Sequence, residues 1–293
     1  MQVKFIDEKK NLKYNFKTKP YQHQYDAFDK SKNKKYYALF MEQGTGKSKV
    51  IIDNIAYLYR RGNIDTAIIA APKGVYRNWH ASEFKAHMPE DVVIFTDICI
   101  WNPTETKTNI DRLIEFLKPS HKLKFFIINI EALSTEKGKN YLQRLLNVSK
   151  SFFCIDESTN IKNRTARRTK ACMKLGKLAT YRRILTGTPV TRGPLDLWSQ
   201  MHFLDEFILQ SSFYAYRNTF CVIQRRRTSS HSFDEVVGYQ RLDELQKILN
   251  EHSFRVTKEE CLDLPPKLRQ IRHIDMTPAQ KRMYVILKKR AIL

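Results

Sequence analysis

The chain has 293 residues, of which 42% are hydrophobic, enough to build a real core in one large domain or two ordinary ones. Its 52 Lys+Arg against 30 Asp+Glu leave a formal net charge of +22, beyond what solubility requires, and point to a polyanionic partner, nucleic acid first. A charged opening stretch, no apolar run of bilayer length, five scattered cysteines without a CxxC pair and eight scattered histidines without HExxH argue against a secretory leader, a membrane span, a disulfide framework and a metalloenzyme, and an intracellular location is expected.

Six short apolar runs alternate with helical patterns: YYALF at 36–40, TAIIAA at 66–71, DVVIF at 91–95, KFFIINI at 124–130, SFFCI at 151–155 and RRILTG at 182–187. Runs this short and apolar predict strands covered on both faces and joined by helices, an α/β fold with a parallel sheet. Between them, KVIIDNIAYLYRRG sets Val50, Ile51, Ile55 and Leu58 on one helix face and stops at Gly62, while IDRLIEFLK groups Leu113, Ile114 and Leu117. After about Leu204 the alternation fades, and 206–262 reads as a helical appendage around a polar break near Thr228 to Ser232. Residues from Leu262 to Met276 read as an extended segment leading out of the domain, before a last helix. Trp79, Trp101 and Trp198 are expected in the core.

Three strand ends carry chemistry. Gly44-Thr45-Gly46-Lys47-Ser48 follows the YYALF strand and opens a helix, as a phosphate-binding loop must. Glycines turn backbone amides onto phosphates, Lys47 reaches their oxygens, and the Ser48 hydroxyl can ligate magnesium at the helix N-terminus. Met41 stands where the full pattern asks for Gly or Ala. Asp156-Glu157 ends the SFFCI strand; Asp156 can hold the magnesium and Glu157 can orient and deprotonate an attacking water. Leu185-Thr186-Gly187-Thr188-Pro189 ends the next strand, where Thr186, Gly187 and Thr188 could sense a γ-phosphate and relay its presence.

In this order the motifs resemble those of superfamily-two helicase-like ATPases, and their details resemble the Swi/Snf-type DNA translocases. Tyr21-Gln22 is similar to the family's adenine-reading glutamine motif, and Pro72 with Asn78-Trp79 and Glu83-Phe84 to its segment ending in NW..EF. Asn129 to Leu133 stands where the family has a TYE-type segment, Asp156 to Thr159 in its DEAH box, and Lys162-Asn163 as the KN that follows. LTGTPVTRGPLDLWSQMHFL resembles the family's LTGTP segment with its LW and HFL, and Arg255 with Lys258, Leu264 to Lys267, and Gln280 with Tyr284 are similar to its lobe-closing features. Thr159 departs from the box's histidine, and Met41 with Gln43 from its phosphate-loop approach.

The resemblance implies a RecA-like ATP-binding lobe over 1–205, the helical appendage over 206–262 and a lobe-closing segment over 263–293, with a second lobe carrying an arginine finger expected C-terminally. Its cofactors would be ATP and Mg2+, with Gln22 reading adenine, Gly44 to Ser48 cradling phosphates, and Lys47, Asp156 and Glu157 catalytic. Its partner would be duplex DNA, held through backbone phosphates by loops at the sheet edge remote from the chemistry, around Lys73, Arg77, Lys162, Arg164, Arg167 and Arg168. The run from Lys162 to Lys170 reads equally as a solvated helix face. The helical appendage offers a surface for a protein partner, and no membrane is involved. Alone, the chain would turn over ATP weakly. The alternatives are a strand-separating helicase or restriction-complex motor subunit, or a nucleotide-binding interaction module without hydrolysis.

Overall fold

Strands buried on both faces need a layer of helices on each side, and the apolar runs take that arrangement. The computed structural model describes residues 14–104, 106–228, 232–261, 270 and 273–291. Its strands are β1 (Tyr36–Met41), β2 (Thr66–Ala71), β3 (Thr96–Ile100), β4 (Leu123–Asn129), β5 (Ser151–Asp156), β6 (Tyr181–Leu185), β7 (Cys221–Arg227), β8 (Ser232–Tyr239) and β9 (Ser253–Val256). Seven of them form one sheet in the order β3-β4-β2-β5-β6-β1-β9, with every neighbouring pair parallel.

Alternate residues feed two cores. Tyr37, Leu39 and Met41 of β1, with Phe152 and Cys154 of β5, pack under α1 (Gln22–Ser31), α2 (Lys47–Arg60) and the π-helical turn Trp79–Phe84. Ala38 and Phe40, with Phe153 and Ile155, face the helices Glu136–Asn147, Arg167–Gly176 and Asp196–Leu204 on the other side. All three tryptophans are buried. α2 is enclosed almost all round, because it lies at the centre of its layer, and Gly62 closes it with φ +68°.

Three expectations need correction. DVVIF is not a strand: Pro89 and the acidic Glu90 and Asp91 start the short helix Glu90–Val93, and β3 begins at Thr96. In the helix Lys107–Leu117 the buried residue is Phe116, while Ile114 is 55% exposed. Residues 206–262 are not all helical, for between the helices Phe213–Phe220 and Leu242–His252 lies an antiparallel hairpin of β7 and β8, and β9 then joins the central sheet beside β1. The run Cys221–Arg227 is β-branched, polar and exposed on most of its length, a pattern a two-stranded ribbon tolerates as readily as a helix does.

Two compact units are distinguished, 1–263 and 264–293. In the second, the helix Pro278–Ala291 is capped by Thr277 and Gln280, each side chain accepting from the other's backbone N–H, at 3.4 and 3.0 Å. The Leu264 to Lys267 motif lies outside the described residues.

Gly138, in the helix Glu136–Asn147, sits against backbone: a Cβ placed there would lie 2.3 Å from the Ala132 carbonyl oxygen. An exposed helical Gly→Ala change stabilises by about 0.5–1 kcal/mol. Here Gly138→Ala is expected to destabilise instead, by roughly 1–3 kcal/mol as the overpacked turn shifts, read by thermal or urea denaturation.

Candidate active site

Parallel strands deliver their C-terminal ends to one edge, and the sheet order makes neighbours of the strands whose ends are polar. Across that edge stand the loop after β2 with Trp79, the acidic pair after β5, Thr186 after β6, the phosphate loop after β1 and Lys258 after β9. Registers Ala70↔Ile155, Asp156↔Leu185, Leu39↔Leu185 and Met41↔Val256 keep the ends level.

In the loop, Gly44 and Gly46 take φ of +86° and +88°, where a side chain would be strained, and Gly46 opens α2. Thr45 Oγ1 donates to the Glu42 carbonyl at 2.7 Å. The Thr45 carbonyl is pinned by Gln24 Nε2 at 3.2 Å and His23 Nε2 at 2.8 Å. Gln22 does not reach the loop; its amide donates to Asp26 Oδ1 at 2.8 Å, one turn along α1. Lys47 Nζ donates to the Met41 carbonyl at 3.0 Å. Burial pulls the Lys47 ammonium below its ordinary value, Lys258 adds to that, and Glu157, Asp156 and Glu42 oppose it. A buried ammonium held by a single carbonyl is poised to exchange that oxygen for an anionic one.

Glu157 follows β5 in the left-handed region, at φ 50° and ψ 62°. That conformation, costing a non-glycine residue about 1–2 kcal/mol, turns its carboxylate to the Thr186 hydroxyl, which donates to Oε2 at 3.4 Å. The Thr188 N–H donates to Thr186 Oγ1 at 3.2 Å. Gly187 lies so close to the loop that a Cβ there would meet Glu42 Cα at 3.1 Å. The three motifs therefore touch.

Asp156 accepts the Trp79 indole N–H at 2.9 Å and the Glu157 N–H at 3.0 Å. Burial raises its carboxyl above the ordinary carboxylate value; the Trp79 bond and Lys47 hold it down, and the like charge of Glu157 pushes it up. Four residues beyond Trp79, Glu83 is also raised by burial and accepts a hydrogen bond from Ser48 that lowers it. One π-helical turn thus holds both residues expected to ligate magnesium. Among the described residues no group of three or more His, Cys, Asp or Glu could hold a metal. One carboxylate and one hydroxyl fit magnesium, which takes few protein ligands when phosphates complete its shell.

The residues nominated for nucleic acid leave β2 and β5, so they stand at the same edge as the chemistry, not a remote one, because those strands are parallel neighbours. Lys73, Arg77 and Arg167 are exposed; Arg77 Nε donates to Tyr76 OH at 3.1 Å. The others have protein partners. Lys162 Nζ donates to Thr191 Oγ1, Arg168 Nε donates to the Asn160 carbonyl at 2.8 Å, and Arg164 stacks 4.3 Å from the Phe213 ring centre. Sequence reasoning also missed Gln200, fully buried, which accepts from Ser158 Oγ at 2.7 Å and donates to the Pro189 carbonyl at 2.8 Å, tying the acidic box to TGTP. A glutamine between Trp198 and Met201 in the helix DLWSQMHFL was the available signal for it. For Trp79, Gln24 and His23 there was none beyond motif position.

The strain at Glu157 has a measurable sign. Glu157→Gly removes the left-handed penalty and Glu157→Ala does not, so the glycine variant is expected to be the more stable of the two by about 1 kcal/mol in thermal denaturation.

Residues 27–293 match the SNF2-related domain family. The chain is 27% identical over 250 residues to the human SWI/SNF-related matrix-associated actin-dependent regulator of chromatin subfamily A containing DEAD/H box 1, covering 85% of this chain and 23% of that protein. It is 30% identical over 158 residues to human TATA-binding protein-associated factor 172, covering 53% of this chain and 8% of that protein. The chain thus spans about a quarter or less of the length of these relatives. The Sulfolobus solfataricus SWI2/SNF2 ATPase core in complex with dsDNA superposes with a TM-score of 0.63 at 22% identity, over 92% of this chain and 52% of that one. The SWI2/SNF2 ATPase core domain of the same organism gives 0.58 at 21% identity, over 99% and 56%. These likenesses show the fold, a RecA-like parallel sheet flanked by helices. The chain belongs to the SNF2-related domain family.

Proposed function

We propose that the chain is the ATP-binding lobe of a motor that hydrolyses ATP when bound to duplex DNA and translocates along it. The contact of three motifs carries this reading: the loop holding Lys47, the pair Asp156-Glu157 and Thr186 meet at adjacent strand ends, where Thr186 donates to Glu157, the Glu157 N–H donates to Asp156, and the buried Lys47 feels both carboxylates as attracting charges. Ser48 and Asp156 would hold magnesium, which neutralises phosphate charge when bound. Lys47 exchanges the Met41 carbonyl for phosphate oxygens, and the N–H groups of Gly44, Gly46, Lys47 and Ser48 would receive the same group, the Thr45 N–H being held by the Glu42 carbonyl at 3.2 Å. Glu157 orients a water and takes its proton, with Thr186 fixing the carboxylate. Asp26 fixes the Gln22 amide, leaving its oxygen and second hydrogen free to read adenine.

For DNA the support is the +22 charge, the exposed Lys73, Arg77 and Arg167 at the site edge, and the duplex bound by the Sulfolobus relative. We assign the arginine finger to a second lobe, so weak turnover by the chain alone is part of the reading. Protein partners would dock on residues 206–262. No helix among the described residues is long and apolar enough to cross a membrane.

The test is ATP hydrolysis with and without duplex DNA, by the chain and by a protein uniting it with a second lobe. Stimulation in the two-lobed protein supports the reading, and equal rates with and without DNA overturn it. Displacement of a paired strand during turnover would favour a helicase, and nucleotide binding without turnover a silent module.

Within that assay Glu157→Gln is expected to leave ATP binding intact and cut turnover by roughly 10²–10⁴-fold. Lys47→Ala loses the binding itself. Trp79→Phe keeps the ring and removes the donor, so ADP binding with Mg2+ should weaken by about tenfold while binding in EDTA is unchanged, measured by calorimetry.

A further inference from the structure

One cation at the phosphate loop has no task in this scheme. β9 flanks β1 on the side away from β6, so residues just after β9 arrive level with the loop. Two hydrogen bonds fix them there: the Glu42 N–H donates to the Val256 carbonyl at 3.0 Å, and the Lys258 N–H donates to Glu42 Oε2 at 2.8 Å. The Lys258 side chain is thereby laid across Gly44; a Cβ on that glycine would lie 3.5 Å from its Cε and 3.9 Å from its Nζ.

Nothing among the described residues explains why the ammonium is there. Among the described residues no hydrogen bond or ion pair engages Lys258 Nζ, and the nearby Glu42 spends Oε2 on the Lys258 backbone. Lys47 lies close enough to feel Lys258 as a repelling like charge. A lysine placed only to cover an edge strand would direct its head to water and away from a second cation. Lys47 already faces Glu157, Asp156 and Glu42, so a second ammonium laid across Gly44 with no side-chain partner among the described residues is a charge held for a ligand, as a polyphosphate pocket requires.

We propose that Lys258 is a second phosphate-binding cation of the nucleotide site, contacting the phosphate chain of a nucleoside di- or triphosphate from the β9 side, opposite Asp156 and Glu157. This rests on the nucleotide reading above and adds to it a residue some two hundred positions from the loop in sequence. It also gives β9 a function: the strand carries a ligand to the loop.

The test is calorimetric titration of the chain with ADP and Mg2+. Lys258→Met, which keeps the aliphatic stem, and Lys258→Ala are each expected to weaken binding roughly 5–10-fold, with Lys258→Arg recovering to within about twofold. The salt dependence of binding should also fall by about one ion in both neutral variants. Unchanged melting temperature separates loss of the charge from loss of the fold. If the unsubstituted chain binds ADP and Lys47→Ala abolishes binding while Lys258→Ala and Lys258→Met bind as well as the parent, the proposal is overturned and the nucleotide reading stands. If the unsubstituted chain does not bind ADP, both fall.

Discussion

The site depends on the parallel pairing of β5 with β6 and of β6 with β1. Each of the three end sequences alone is a turn. Parallel neighbours in register end at one level, so Glu157 meets Thr186 and both carboxylates of the pair act on the Lys47 ammonium although their strands are far apart in the chain. A slip of one residue in either pairing would send these side chains to the opposite face and bury the cores' alternate residues wrongly. The same apolar alternation that stabilises the sheet therefore also fixes the chemistry, and no separate device is needed to align the motifs.

Charge is distributed with the same economy. The excess of 22 positive charges suggests a uniformly basic coat, yet several of its members are inside. Arg183 is fully buried, donating to the carbonyls of Ser31, Lys34, Lys35 and Arg182, where it ties the end of α1 to β6. Burial lowers its guanidinium to about 10, still protonated at neutral pH. Arg182 stacks 3.9 Å from the Tyr36 ring centre. The acid-free stretch between Glu157 and Asp196 thus divides into structural cations, loop-bracing cations such as Lys162 and Arg168, and a smaller exposed set. The field available to a polyanion is narrower than composition indicates.

Five of the six strand runs, the helix after the phosphate loop and the three buried tryptophans were legible because burial on both faces leaves an unambiguous apolar record. DVVIF misled because a proline and two acids outweighed four apolar residues, and β9 escaped because SFRV is four residues long, with an arginine at an open edge. In the site, the motif residues were legible as types and their mutual contact was not, since nothing in the sequence states that β5, β6 and β1 are neighbours. Gln24, His23, Trp79 and Gln200 act through bonds to distant backbone or side chains, and such bonds leave no periodicity to read.

The π-helical turn after β2 joins these observations. α-Helical winding is the cheaper choice for six residues, and π turns persist mainly where a side chain must be aimed. Here the turn aims two: Trp79 at Asp156 and Glu83 at Ser48, the two groups suited to magnesium. The chain reaches it from Pro72 through Lys73 and Arg77, whose exposed heads suit a phosphate backbone. A ligand drawing on Lys73 and Arg77 would act on a segment whose next turn grips both residues proposed to hold magnesium. Such a short rigid connection couples two sites only if it has two arrangements, and a turn already off its lowest-energy winding is a physical place for the second.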